Sequence, residues 1–235
     1  MDVTNANVIL SQLESLGTEQ ARKTYTRHGV GDNAFGNSYS DLGKFQKKIK
    51  INHDIALDLW ASGIHDAQIL ALMIADPNKA DSAMLDKWTT SLTNYVITDA
   101  FSGYVGKTRL AQTKAEAWIK SDNEWISSAG WNVIGDLAAS DTTLPDSYFE
   151  QLLQVIERDL HSSQNRTRYA MNNALIAIGA RIPALQATAT AAAKRIGKVK
   201  VDHGLTNCKT PDAITYIQKV VDHRAQKAEK IKLKA

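Results

Sequence analysis

The stretch Ala56-Leu57-Asp58-Leu59-Trp60-Ala61-Ser62-Gly63, continued after Ile64 by His65-Asp66-Ala67-Gln68-Ile69-Leu70-Ala71-Leu72-Met73-Ile74-Ala75-Asp76, decides the fold. Alanine and leucine dominate both halves, and these residues lose little rotamer freedom on entering a helix. Gly63 sits where a helix has to end, so the stretch predicts two antiparallel helices joined at Gly63-Ile64. The same grammar extends in both directions. Toward the N-terminus it predicts helices over 4–16, 18–28 and 40–49, with Thr18 as an N-cap and Ser40, Asn52 and Asp66 near helix starts. Toward the C-terminus it predicts helices over 79–91, 93–104, 108–120, 123–139, 146–161, 165–180 and 184–196. A last helix begins after Thr210-Pro211, where proline suits the first turn. Strand-like alternation is absent, so the chain reads as all-α. Successive helix pairs with short breaks are how a solenoid of helical repeats looks in sequence, with a compact bundle as the alternative. The loop over 29–36, glycine-rich and carrying Phe35, is longer than a simple connector.

The 235 residues suffice for one sizeable core, and a single domain over 1–235 is expected, closed by a basic, frayed tail from about residue 224. Hydrophobic residues at 43% and charged residues at 23% exclude wholesale disorder. No apolar run reaches the roughly 18–20 residues of a membrane span. The opening residues, with their acids and amphipathic spacing, do not read as a secretory signal. One cysteine, Cys208, forms no internal disulfide, which fits a reducing cytoplasm. A monomer is expected.

Charge is segregated. Residues 1–162 hold 14 Lys+Arg against 21 Asp+Glu, and residues 163–235 hold 14 against 4. A net charge of +3 thus hides a basic C-terminal part that asks for a polyanionic partner. Arg166, Arg168, Arg181, Lys194, Arg195, Lys198 and Lys200 lie well inside the chain and are the candidate phosphate contacts.

No P-loop, dinucleotide-binding glycine fingerprint, HExxH or nucleophile elbow occurs, and no cofactor is expected. Asp202, His203 and Cys208 are close in sequence, but their spacing matches no zinc pattern, so no metal is expected. Trp60, Trp88, Trp118, Trp125 and Trp131 read first as core, and second as surfaces on which a base or sugar stacks. Tyr95 and Asp99 are four apart and share a helix face, an aromatic ring beside a carboxylate.

Several segments resemble a known family. They are Tyr25-Thr26-Arg27-His28-Gly29-Val30, the loop through Phe35-Gly36, Leu59-Trp60 with Ser62-Gly63 and His65-Asp66-Ala67, and Gln68-Ile69-Leu70-Ala71 leading to Ile74-Ala75-Asp76-Pro77. The stretch from Arg195 to Gly204 and Cys208-Lys209-Thr210-Pro211-Asp212-Ala213 add to them. In this order they resemble a branch of the DNA alkylation repair family, the AlkD-like HEAT-repeat DNA glycosylases. The resemblance implies a HEAT-like α-α superhelix holding duplex DNA, alkylated or distorted, against a basic concave face. It also implies hydrolysis of the N-glycosidic bond of cationic N3- or N7-alkylated purines. In such a reaction a carboxylate stabilises the sugar as it becomes oxocarbenium-like, flanked by aromatic rings.

Carried onto this sequence, the family's catalytic carboxylate falls on Asp99 and the aromatic one turn earlier on Tyr95. A second tryptophan of the site falls near Ala177, and a DNA-contacting arginine near Ser128, so both of those groups are absent. Two functional readings follow: a glycosylase working through Asp99, and a non-catalytic solenoid that recognises damaged, bent or branched DNA. A third, a protein-interaction scaffold, predicts that the basic residues share no face.

Overall fold

A computed structural model describes residues 2–232, and all the regular structure among them is helical. The helices are α1 (Ala6–Leu16), α2 (Glu19–Arg27), α3 (Tyr39–Ile49), α4 (His53–Ala61), α5 (His65–Ile74), α6 (Ser82–Thr89), α7 (Tyr95–Val105), α8 (Ala111–Trp118), α9 (Glu124–Ser140), α10 (Asp146–Asp159), α11 (Asn165–Arg181), α12 (Gln186–Ile196) and α13 (Ala213–Lys232). Short 3-10 turns at Pro77–Lys79, Leu160–Ser162 and Pro183–Leu185 join neighbours. The division into elements follows the sequence pattern closely. Asn5, Thr18, Ser38, Asn52, Asp81, Asn94 and Asn123 each accept a backbone N–H at the start of a helix, which fixes where that helix begins.

Ser40 and Asp66 lie in the first turns of α3 and α5, near the helix starts as expected, but neither is the cap. The cap of α3 is Ser38, so Tyr39 becomes the first helical residue. The Asp66 carboxylate instead accepts the backbone N–H groups of Phe35, Gly36 and Asn37, so it serves the loop rather than its own helix. The stretch expected to fray from about residue 224 continues α13 as far as Lys232. There the Arg224 guanidinium donates to the carbonyls of Ala180 and Arg181. The end of the expected tail, residues 233–235, lies outside the described residues.

The helices gather into two compact units. The first comprises the chain up to Lys114 together with His203–Asn207. Its centre is α5, with nine of ten residues buried, against which α1, α3, α4 and α7 pack. After its first turn α5 is apolar on every side, and a helix with no face to offer water is driven to the middle. Beside it Trp60 and Trp88 stack, with ring centroids 4.2 Å apart and planes 10° apart, bordered by Phe101 and Tyr104. Lys114, almost fully buried, reaches the Asp86 carboxylate at 2.6 Å and the Ser82 hydroxyl at 2.7 Å.

The second unit comprises Ala115–Asp202 and the chain from Cys208 onward. Its centre is α11, contacted by α9, α10, α12 and α13. Gly179 allows the close approach there. A methyl group at that position would lie 2.7 Å from both the Ala189 Cβ and the Ile217 Cδ1.

Candidate functional site

The first unit builds a site around Asp99. In α7 the residues Ile97, Thr98, Phe101 and Ser102 are buried, which turns Asp99 to solvent and leaves Tyr95 half-buried one turn before it. The Asn94 side chain, itself buried, accepts the N–H groups of Val96 and Ile97 and sets the start of the helix. Tyr95 and Asp99 therefore share the open face, as their spacing predicts.

Two partners come from elsewhere. His28, at the C-terminal end of α2, hydrogen-bonds through Nδ1 to the Tyr95 hydroxyl, and the two rings meet edge to face at 5.7 Å. Tyr39, at the start of α3, lies close enough to Asp99 for the carboxylate to act on its hydroxyl. Burial, and then the Asp99 charge, push the Tyr39 phenol above its ordinary range. Half of the Tyr39 side chain still faces solvent, with the residue 53% exposed. The result is a solvent-facing carboxylate beside two phenol rings, with an imidazole behind one of them. Such a constellation can hold a cationic or electron-poor group by electrostatics and ring contact.

The loop after α2 positions both His28 and Tyr39. Its end is locked by Asp66, fully buried, whose Oδ2 accepts from Phe35 at 2.7 Å and Gly36 at 3.4 Å and whose Oδ1 accepts from Asn37 at 2.6 Å. Tyr25 donates its hydroxyl to the Asn37 carbonyl, and the Asn37 amide donates to the Leu13 carbonyl. Gly36 sits at φ +86°, and a Cβ there would press on the Thr18 carbonyl oxygen at 2.5 Å. Only glycine meets both demands. Beneath the loop, His65 packs edge to face on Tyr25, and its buried Nε2 finds no protein partner.

The two positions where the family resemblance places further site residues are built differently. Both lie in the second unit. Ser128 is buried in α9 and carries no positive charge. Ala177 of α11 is half-buried and faces Gly135 of α9, so small residues bring those two helices together where a tryptophan would stand.

The candidate phosphate contacts of the second unit fall into two groups. Arg168 donates to the carbonyls of His161, Ser163 and Lys200, so its guanidinium braces the backbone. Arg195 forms a two-pronged pair with Glu157, and Arg166 lies over the Tyr169 ring at 4.5 Å. Arg181, Lys194, Lys198 and Lys200 are exposed, as is the paired Arg195. Of the tryptophans, Trp60, Trp88, Trp118 and Trp131 are buried, which leaves Trp125, half-buried, as the one with an accessible ring. Among the described residues no three His, Cys, Asp or Glu side chains converge to hold a metal ion.

Residues 9–217 match the family described as DNA alkylation repair enzyme. The chain belongs to the DNA alkylation repair family. Family relatives include the uncharacterized proteins Lin0241 of Listeria innocua and Lmo0209 of Listeria monocytogenes. Each is 34% identical over 215 residues, which is 89% of this chain and 94% of the relative. A solved structure is similar with a TM-score of 0.86 and 30% identity, over 94% of this chain and 95% of the other. It comes from a family of proteins related to the HEAT-like repeat DNA glycosylases with affinity for branched DNA structures. The all-α architecture of this family member is thus the HEAT-like repeat fold, as the sequence resemblance implies.

Proposed function

We propose that this protein is a DNA-binding repair protein that recognises branched or distorted duplexes by shape and phosphate contact. The observation that carries the reading is the likeness, over nearly the whole of both chains, to a protein from a family with affinity for branched DNA. The exposed cations Arg181, Lys194, Lys198 and Lys200 supply the charge that such binding needs. Phosphate neutralisation releases counterions, so affinity falls with salt, by roughly 0.9 in log–log slope per contact. The double variant Lys194→Ala, Lys198→Ala lowers that slope by about 2. The test is titration of a labelled four-way junction and a linear duplex of the same sequence at several salt concentrations. Affinity indifferent to salt, or equal for the two DNAs, contradicts the reading.

A second reading, hydrolysis of the N-glycosidic bond of N3- or N7-alkylated purines, is favoured by the Asp99 site. A solvent-facing carboxylate beside the Tyr39 and Tyr95 rings suits a developing oxocarbenium ion. It stands second because Ala177 and Ser128 supply neither the second ring nor the cation that the family's glycosylases use at those positions. Base release from methylated duplex by wild type and by Asp99→Asn separates the two. The glycosylase reading expects release from the wild type and its loss in the variant. The binding reading expects no release and equal junction affinity for both proteins.

A further inference from the structure

We infer that Arg166, Tyr169 and Asn173 form a seat for an unpaired base of bound DNA, which stacks on the cation–ring pair and meets the amide with its edge. The inference rests on the proposed recognition of branched or distorted DNA, and it names what such DNA offers that a plain duplex lacks.

The seat lies wholly within the second unit, on α11. From Thr167 to Ala180 every residue of this helix is buried except Arg168, Tyr169, Asn173 and Ala177. Arg168 is spent on backbone carbonyls. The other three continue from the half-buried Arg166 at intervals of three and four, so all four residues share one open face.

The start of that face is fixed from α9. The Glu124 carboxylate accepts the Arg166 backbone N–H at 2.6 Å, and the Thr167 hydroxyl donates to the Glu124 carbonyl at 3.2 Å. Arg166 then lays its guanidinium over the Tyr169 ring, with the central carbon 4.5 Å from the ring centroid. This use of the cation differs from a phosphate contact. A phosphate is met by the rim of a guanidinium, where the N–H groups lie, whereas stacking uses its flat face. A guanidinium and a phenol ring are both surfaces on which bases stack, whatever their identity, because every base has a π face. One turn after Tyr169 comes the half-buried Asn173, whose amide can both donate and accept and so complements the edge of a base. Inside a duplex a base has both faces covered by its neighbours and its pairing edge occupied. Where pairing fails, as at a fork or a bulge, faces and edge are available together. A site for phosphate alone would need neither the ring nor the amide.

The test uses the full chain and three DNAs of related sequence. These are a fork with single-stranded arms carrying 2-aminopurine beside the branch, a fully paired four-way junction, and a blunt duplex. The wild type is expected to bind the fork more tightly than the duplex and to quench the 2-aminopurine emission by stacking. Tyr169→Ala is expected to weaken fork binding about tenfold, to remove the quenching, and to leave the affinities for junction and duplex unchanged. Tyr169→Phe is expected to behave as the wild type. Arg166→Lys keeps the charge without the flat face, and is expected to lose fork affinity while its salt dependence stays the same. An unchanged Tm for the variants places the losses in binding rather than folding. If Tyr169→Ala binds and quenches the fork as the wild type does, or weakens all three DNAs alike, the seat falls and the recognition of branched DNA stands. If the wild type favours neither fork nor junction over the duplex, both readings fall together.

Discussion

Replacing Asp66 with asparagine tests whether one buried carboxylate organises the loop that carries His28 and Tyr39. The Asp66 side chain is inaccessible to solvent, and its two oxygens accept three backbone N–H groups. Asparagine keeps one carbonyl oxygen and replaces the other with an NH2 group. If the oxygen stays on Phe35 and Gly36, the amide hydrogens face the Asn37 N–H. If the side chain flips, they face Phe35. In either orientation one short, charge-assisted bond is lost and a donor confronts a donor. A bond of that kind contributes about 1.5–3 kcal/mol. The bonds that survive weaken with the loss of charge, while asparagine is spared part of the desolvation of a buried ion. The expected net loss is about 2–3 kcal/mol, rising to about 3–5 kcal/mol in Asp66→Ala, where all three N–H groups lose their acceptor. Urea denaturation with linear extrapolation measures it. Amide exchange at Phe35, Gly36 and Asn37 locates it, because those three protons should exchange faster even where the rest of the protein remains protected. An Asp66→Asn midpoint and slope matching the wild type, with those amides still protected, refutes the account.

Burial holds the His65 imidazole below its ordinary value, against a smaller opposing pull from Asp66. The unfolded chain therefore binds this proton more readily. Stability from this group is complete above about 6.5 and declines as pH falls toward the folded-state value. His65→Gln should flatten that part of a Tm-against-pH profile, and an unaltered profile would show that other groups govern it. Gly179→Ala should destabilise the protein by about 1–3 kcal/mol, because the added methyl meets the immovable Ala189 Cβ at 2.7 Å. A rise in stability, as helix propensity alone would give, would mean that α11 and α12 separate at little cost.

The helices were legible because their signals are local. Alanine- and leucine-rich periodic segments and side-chain caps such as Thr18 and Asn52 are written within a few residues of the structure they specify. Asp66 shows where local reading ends. An aspartate in a first turn looks the same in sequence whether it complements its own helix or binds a loop some 30 residues earlier. The Asp99 site divides in the same way. Tyr95 shares a helix face with Asp99 and could be found from spacing, whereas His28 and Tyr39 arrive from the ends of other helices. Tyr39 was not found, because the predicted helix begins at Ser40 and leaves the tyrosine in the preceding loop. Charge segregation identified a basic region but not the task of each cation. That Arg195 is matched by Glu157, 38 residues earlier, depends on how α10 and α12 pack, which no count of charges contains.

The stacked pair of Trp60 and Trp88 has an optical consequence. Two indoles 4.2 Å apart and nearly parallel couple their electronic transitions, giving a far-ultraviolet circular dichroism couplet that no isolated tryptophan produces. Both rings belong to the first unit, while Trp118, Trp125 and Trp131 belong to the second. The couplet therefore reports on the first unit alone, whereas total indole emission sums over both. Recording the two signals along one denaturation curve reveals, without labels or mutations, whether the halves of the chain melt as one body or in sequence.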